Sequence, residues 1–238
     1  MTAPAAPIPA APKPGRWPLY GWIVFAFLIV CQIVSIAISP ADRDMGHLQK
    51  IMYIHFPAAL NAFGCFFVVF LYSVLYLYRR RETDDLVAAS AAEVGTVFTG
   101  LTLALGMIWA RPTWGVWWTW DARLTSTLVL FLIFAGYLAL RSFVEEAERR
   151  AVWSAAVGIL GAINVPIVYM SVKWWRTLHQ VQSTPGTVDP AYVIGIRLNL
   201  TAVLLVAIYF MRRRYEAALT ERVAEHRLAA AALGGPQS

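Results

Sequence analysis

The polar positions of this chain fall in clumps, and between them lie six long apolar stretches, Trp17–Ile38, Tyr53–Tyr78, Leu86–Trp109, Leu124–Leu140, Ala151–Met170 and Tyr192–Met211. None shows the strict alternation of a half-buried strand. Each approaches the ~20 residues that cross ~30 Å of hydrocarbon at ~1.5 Å per residue. Backbone N–H and C=O groups find no water in that medium and must bond within their own segment, so the pattern predicts helices. The expected architecture is an all-α integral membrane protein with six transmembrane helices and short loops. Three segments are expected: a disordered lead-in at 1–16, a six-helix membrane domain at 17–211 and a tail at 212–238.

Composition agrees. Hydrophobic residues make up 59% of 238 and charged residues only 14%, against about 25% charge in a soluble domain. The first sixteen residues, rich in Pro and Ala, lack the compact charged start and cleavage site of a secretory signal. The tail from Arg212 to Leu228 mixes both signs with helix formers, which predicts an extension of the sixth helix before a fraying Ala/Gly end.

Charge sets orientation. Lys13, Arg16, Arg79–Arg81, Arg141, Arg149, Arg150, Arg212–Arg214, Arg222 and Arg227 fall on one side of a six-span chain. The smaller set, Arg43, Lys50, Arg111, Arg123, Lys173 and Arg176, with Arg197 at the start of the last helix, falls on the other. The positive-inside rule then puts both termini in the cytoplasm. The net charge of +6 is explained by topology and calls for no nucleic acid.

The loop between the third and fourth spans then faces outward. From Trp114 to Asp121 it reads Trp-Gly-Val-Trp-Trp-Thr-Trp-Asp. Single tryptophans are ordinary at a membrane border. Four within eight residues exceed what anchoring needs and suit a large planar partner held at the surface. Asp121 precedes Ala-Arg-Leu-Thr, so capping the fourth helix is its first expected role. Orienting a tryptophan N–H or pairing with Arg123 is the second.

Of the four histidines, His226 lies in the tail as a solvated residue. His55, in Tyr-Ile-His-Phe-Pro57, and His179, in Lys173-Trp-Trp-Arg-Thr-Leu-His-Gln180, lie in the outer segments before and after the tryptophan loop. Haem iron takes axial ligands above and below the porphyrin, and neutral imidazole is a common one. Two histidines flanking an aromatic platform match that need, with Arg111, Arg123, Lys173, Arg176 and Arg197 available for propionates. The plain alternative is a hydrogen-bonded loop residue in each case. His47 competes with His55, but Pro57 suits the first turn of a helix and would fix His55 at a rigid start.

Cys31 and Cys65 lie inside apolar runs with no Cys-x-x-Cys, which argues against disulfide exchange and covalent c-type haem. Glu93 falls near the cytoplasmic end of the third span, where snorkelling or a helix–helix contact is expected rather than a proton relay. Asn61, Asn164 and Asn199 are candidates for bonds between helices.

Trp114–Asp121 running into Ala-Arg-Leu-Thr-Ser126 resembles the tryptophan-rich motif of the haem-handling proteins of cytochrome c biogenesis. Tyr53–Ala59, Asn164-Val-Pro-Ile167 and Trp174–Gln180 extend the likeness over essentially the whole transmembrane chain, to the haem exporter protein C (CcmC) family. The resemblance implies a non-enzymatic protein of the bacterial inner membrane. In it His55 and His179 would be axial ligands of non-covalent haem b on the periplasmic face. Trp114, Trp117, Trp118, Trp120 and Asp121 would form the platform. It further implies delivery of haem to the chaperone CcmE, beside the ATP-driven transporter of CcmA and CcmB and the small membrane protein CcmD. This chain has no phosphate-binding loop and contributes no ATPase. Two rivals are a bis-histidine membrane cytochrome passing electrons to quinone, and a plain haem channel. The first wants histidines within the bundle, and here none lies mid-membrane. The second wants a polar path, for which the apolar runs offer little beyond Asn61, Asn164 and Asn199.

Overall fold

The computed structural model describes residues 17–179 and 188–233. Six helices follow in order: α1 Trp17–Ile38, α2 Met52–Arg79, α3 Glu82–Trp114, α4 Ala122–Phe143, α5 Ala147–Trp174 and α6 Pro190–Leu233. A 3-10 helix, His47–Ile51, leads into α2. All six are long and apolar enough to cross a membrane. The expected lead-in at 1–16 and the final residues 234–238 lie outside the described residues.

Every helix expected from the apolar runs is present, and most run further than the apolar pattern. α3 begins at Glu82 rather than Leu86, because Glu82, Asp84 and Asp85 occupy its first turn, where carboxylates meet the positive end of the helix dipole. α6 is 44 residues long, about twice what the hydrocarbon requires. Its overhang packs Leu219 and Val223 on Leu86 of α3.

The helices differ sharply in burial. Half of the most apolar stretch of α3 is buried inside the protein, against 11% of that of α1. α2 and α3 therefore form the centre, while α1 lies at the rim against α6 with Trp22, Ile23, Val30 and Ile33 turned outward. In lipid that exposure is favourable, since the surrounding solvent is itself apolar. At the centre Phe66 of α2 stacks on Phe134 of α4, ring centroids 3.8 Å apart. Gly161 lets α5 approach them, since a Cβ there would lie 2.9 Å from the Phe134 ring.

Polar contacts fix the helices at two levels. At the end holding the α2–α3 and α4–α5 turns, Arg141 donates both arms to Asp85, at 2.6 and 2.9 Å. Arg214 of α6 grips Glu93 of α3, with one arm at 2.9 Å, so Glu93 makes the helix–helix contact its position suggests. Arg222 reaches Glu82 at 3.1 Å, and His226, half-exposed, lies 3.7 Å from the same carboxyl.

Nearer the other end a buried cluster joins α1, α2 and α6. Gln32 donates to Asn199 at 2.7 Å and to the Tyr53 carbonyl at 3.1 Å. Asn199 donates to Ser35 at 2.7 Å. The Tyr53 carbonyl is free because Pro57, four residues on, has no N–H to give it. Pro57 thus lies inside α2 rather than in its first turn, as the sequence suggested, since the helix begins at Met52. Asn164 bridges to the Ser126 carbonyl of α4 at 2.9 Å. Asn61 does not bridge: it donates to Pro57 of its own helix at 2.8 Å.

Candidate functional site

The end of the bundle opposite the ion pairs carries the tryptophan segment. Trp114 is the last residue of α3, not a loop residue. The helix stops there because Gly115 adopts φ 78°, a left-handed cap that suits glycine. Arg111 donates to the Gly115 carbonyl at 2.8 Å, so this predicted propionate partner is engaged in closing the helix. The segment 115–121 then runs to α4. Trp117 and Trp120 are 57% and 76% exposed, and Trp118 meets Trp120 edge-on at 5.6 Å.

Asp121 does more than cap. Its Oδ1 accepts the Leu124 N–H at 2.9 Å, the expected N-cap bond. Its Oδ2 accepts the Thr177 hydroxyl at 3.0 Å and the Leu178 N–H at 3.3 Å, with Thr119 at 3.4 Å. One carboxylate therefore joins the tryptophan segment to the segment after α5. Burial alone would raise the Asp121 carboxyl, but these N–H and O–H donors together with His179 hold it below its ordinary value. It stays ionised at neutral pH.

His179 lies 3.7 Å from Asp121 Oδ2 through Nδ1 and meets Trp114 edge-on at 5.2 Å. Burial and then the positive charge of Arg123 lower its pKa, against the opposing pull of Asp121. The ring is neutral at pH 7, the form that binds metal. His55 stands on the first turn of α2, edge-on to Trp109 of α3 at 5.8 Å. Gly106 makes room for it: a Cβ there would lie 3.2 Å from His55 Cε1.

The two imidazoles lie within electrostatic reach of each other, and Arg123 acts on both. Among the described residues the Arg123 guanidinium makes no hydrogen bond or close ion pair, though Asp121 and Tyr169 act on it electrostatically. The fold thus gathers His55, His179, Asp121, Arg123 and Trp114 from four different elements. Arg176 and Arg197 are exposed, and Arg197 lies two turns into α6 rather than at its start. His47 is exposed at the head of the 3-10 helix, without a hydrogen-bond or ion-pair partner among the described residues. Thr177, Trp109 and Gly106 escaped the sequence reading. Thr177 stood inside the Trp174–Gln180 motif, whereas Trp109 and Gly106 read as ordinary apolar helix.

Whether these residues fit a haem can be tested on their chemistry. The macrocycle supplies four nitrogens, so the protein owes the iron two ligands, the ring a flat apolar surface, and the propionates donors. Among the described residues no three His, Cys, Asp or Glu side chains gather as a bare metal ion would need. His55 Nδ1, Trp109 Nε1 and Trp118 Nε1 are all buried without a partner. Such orphans cost about 1–3 kcal/mol each, and a ligand seated beside these three would supply the partners they lack. The donor set fits.

Comparison with known proteins agrees with this geometry. Residues 11–230 match the family model described as heme exporter protein C. The chain is 37% identical over 203 residues to the heme exporter protein C of Bradyrhizobium diazoefficiens, covering 82% of this chain and 77% of the relative. With the heme exporter protein C of Escherichia coli K12 it shares 31% over 220 residues, 88% and 89% of the two chains. With that of Paracoccus denitrificans it shares 34% over 205 residues, 82% and 85%. With the family model matched along nearly its whole length and relatives above 30% identity covered over most of theirs, the chain belongs to the heme exporter protein C family.

Proposed function

We propose that this protein holds non-covalent haem b at the outer face of the membrane and passes it on during the maturation of c-type cytochromes. The observation that carries the reading is the convergence of His55 and His179, from distant parts of the chain, beside Trp114 and around Arg123. His55 and His179 would hold the iron. Trp117, Trp118 and Trp120 support the apolar face of the ring. Arg123, half-buried and acting electrostatically on both imidazoles, is the first choice for a propionate, ahead of Arg111, Arg176 and Arg197.

The role of this chain is holding rather than bond-making. Two imidazoles would limit the reactivity of the iron they hold, and the exposed Trp117 and Trp120 would keep a bound ring within reach of a receiver. We assign that receiver as the chaperone CcmE, with CcmA, CcmB and CcmD as companions, on the strength of family membership. The basic residues at the ion-paired end support a cytoplasmic location for both termini. The site then faces the periplasm across a bacterial inner membrane.

The test is the absorption spectrum of the protein purified in detergent. His55→Ala and His179→Ala each weaken or shift the Soret band, while His47→Ala leaves it unchanged. A His47 variant that lost haem while His55→Ala kept it would falsify the ligand assignment.

A further inference from the structure

The hydrogen bonds around His179 determine which of its two nitrogens is bare. Thr177 Oγ1 has one proton and two lone pairs. The proton goes to Asp121 Oδ2 at 3.0 Å, an ionised acceptor and therefore the stronger one. One lone pair accepts the backbone N–H of His179 at 3.1 Å. His179 Nδ1 lies 3.4 Å from the same oxygen and 3.7 Å from Asp121 Oδ2. With the hydroxyl proton committed elsewhere, only an Nδ1–H can satisfy that approach. A bare Nδ1 would set its lone pair against two oxygen lone pairs. Nε2 is left without a proton, and among the described residues it has no hydrogen-bond partner. The imidazole of a free histidine in water favours the opposite tautomer, with its proton on Nε2, so the preference here is imposed by the protein.

We propose that Thr177 is a positioning residue: its hydroxyl, aimed by Asp121, fixes His179 as the Nδ1–H tautomer and turns a bare Nε2 outward as an iron ligand. The second half rests on the haem reading above; the first does not. An imidazole whose N–H is bonded to an outer partner is oriented and made more basic toward metal. The side chain of residue 177 never touches iron in this arrangement. It acts only through the ring of residue 179.

The haem-free full chain in detergent, labelled with 15N at histidine, reads the tautomer directly. The His179 resonances are assigned by their loss in His179→Ala. At a pH above the ordinary histidine range, the native protein shows a protonated Nδ1 and a bare Nε2. Thr177→Val, which keeps the shape and removes the hydroxyl, shifts the ring toward the Nε2–H form, and Thr177→Ser restores the native pattern. After loading with ferric haem, Thr177→Val raises the reduction potential, because a less basic imidazole stabilises ferric iron less, and Thr177→Ser returns it. A native ring protonated at Nε2, or one unchanged in Thr177→Val, overturns the proposal. A native Nδ1–H form that responds to Thr177→Val, in a protein whose Soret band is indifferent to His179→Ala, removes the ligand role and leaves the positioning intact.

Discussion

The two ends of the bundle treat polar groups in opposite ways. At the end with the α2–α3 and α4–α5 turns, Asp85 meets Arg141, Glu93 meets Arg214 and Glu82 meets Arg222, so charges from different helices are matched inside the protein. At the tryptophan end the polar atoms include His55 Nδ1, Trp109 Nε1 and Trp118 Nε1, buried and without a partner among the described residues. Asp84 Oδ2 is buried and unbonded at the first end as well, so the contrast is one of kind. There unlike charges from different helices are matched, whereas at the second end the unbonded atoms include three aromatic ring nitrogens, the groups a flat ligand would meet.

The sharpest way to break this comparison is to unpair a charge at the ion-paired end. Asp85→Ala leaves Arg141 charged and mostly buried without its carboxylate, and losing one partner of such a pair costs about 3–5 kcal/mol. Unfolding in detergent shows that loss, while the haem spectrum of the folded fraction is unchanged. The same spectrum altered in a protein of native stability breaks the division between the ends.

A smaller effect is expected from crowding the open end. Gly106→Ala places a methyl group 3.2 Å from His55 Cε1, and overpacking of this kind costs about 1–3 kcal/mol. The ring must shift, so haem retention falls. Gly136→Ala, in α4 with nothing within 4 Å of the new methyl, serves as control and leaves both stability and retention as they were. Equal loss of haem in the two variants removes the special position of Gly106.

The smallest effect is a pH response confined to the tryptophan end. Asp121 is held below its ordinary pKa, so its contribution to stability is fully present above the unfolded carboxylate value. That contribution is lost as pH falls through the lower folded value. His179 is lowered as well, by burial first. Keeping it neutral costs stability once pH drops below the ordinary histidine range. Both work in the same direction, so acidification frees the 177–179 segment from the α4 cap. The difference in tryptophan fluorescence between the native protein and His179→Ala, which carries the Trp114 contact, follows that release. A difference that stays flat from neutral pH down past the carboxylate range refutes it.

The six spans were legible because a run of apolar residues long enough for the bilayer has few structures open to it. Their ends were less so: Glu82–Asp85 is helical through charge and dipole rather than hydropathy, and Trp114 belongs to α3 because the chain stops at Gly115 and not before. The capping bond of Asp121 was readable from its neighbours, since capping is local. Its hold on Thr177 joins residues 56 apart in sequence, and no periodicity reports a contact made only when two loops meet. Asn61 misled for a similar reason. Its amide turns back to the Pro57 carbonyl within α2, and the residue type alone does not say which way an amide turns.

The pairing of Gln32 with Asn199 has a consequence for how the molecule is made. Gln32 lies on α1 and Asn199 on α6, so Gln32 leaves the ribosome well before its partner. Until α6 enters the membrane, α1 has only thin contacts with the rest. The polar face carrying Gln32 and Ser35 is not covered by its final partners until then. Closing that face engages Gln32 with Asn199 as well as with the carbonyl that Pro57 frees at the start of α2, beside His55. The start of α2, which carries His55, is therefore fully pinned only once the sixth span arrives, and a chain arrested before α6 carries His55 but lacks the Asn199 half of that latch.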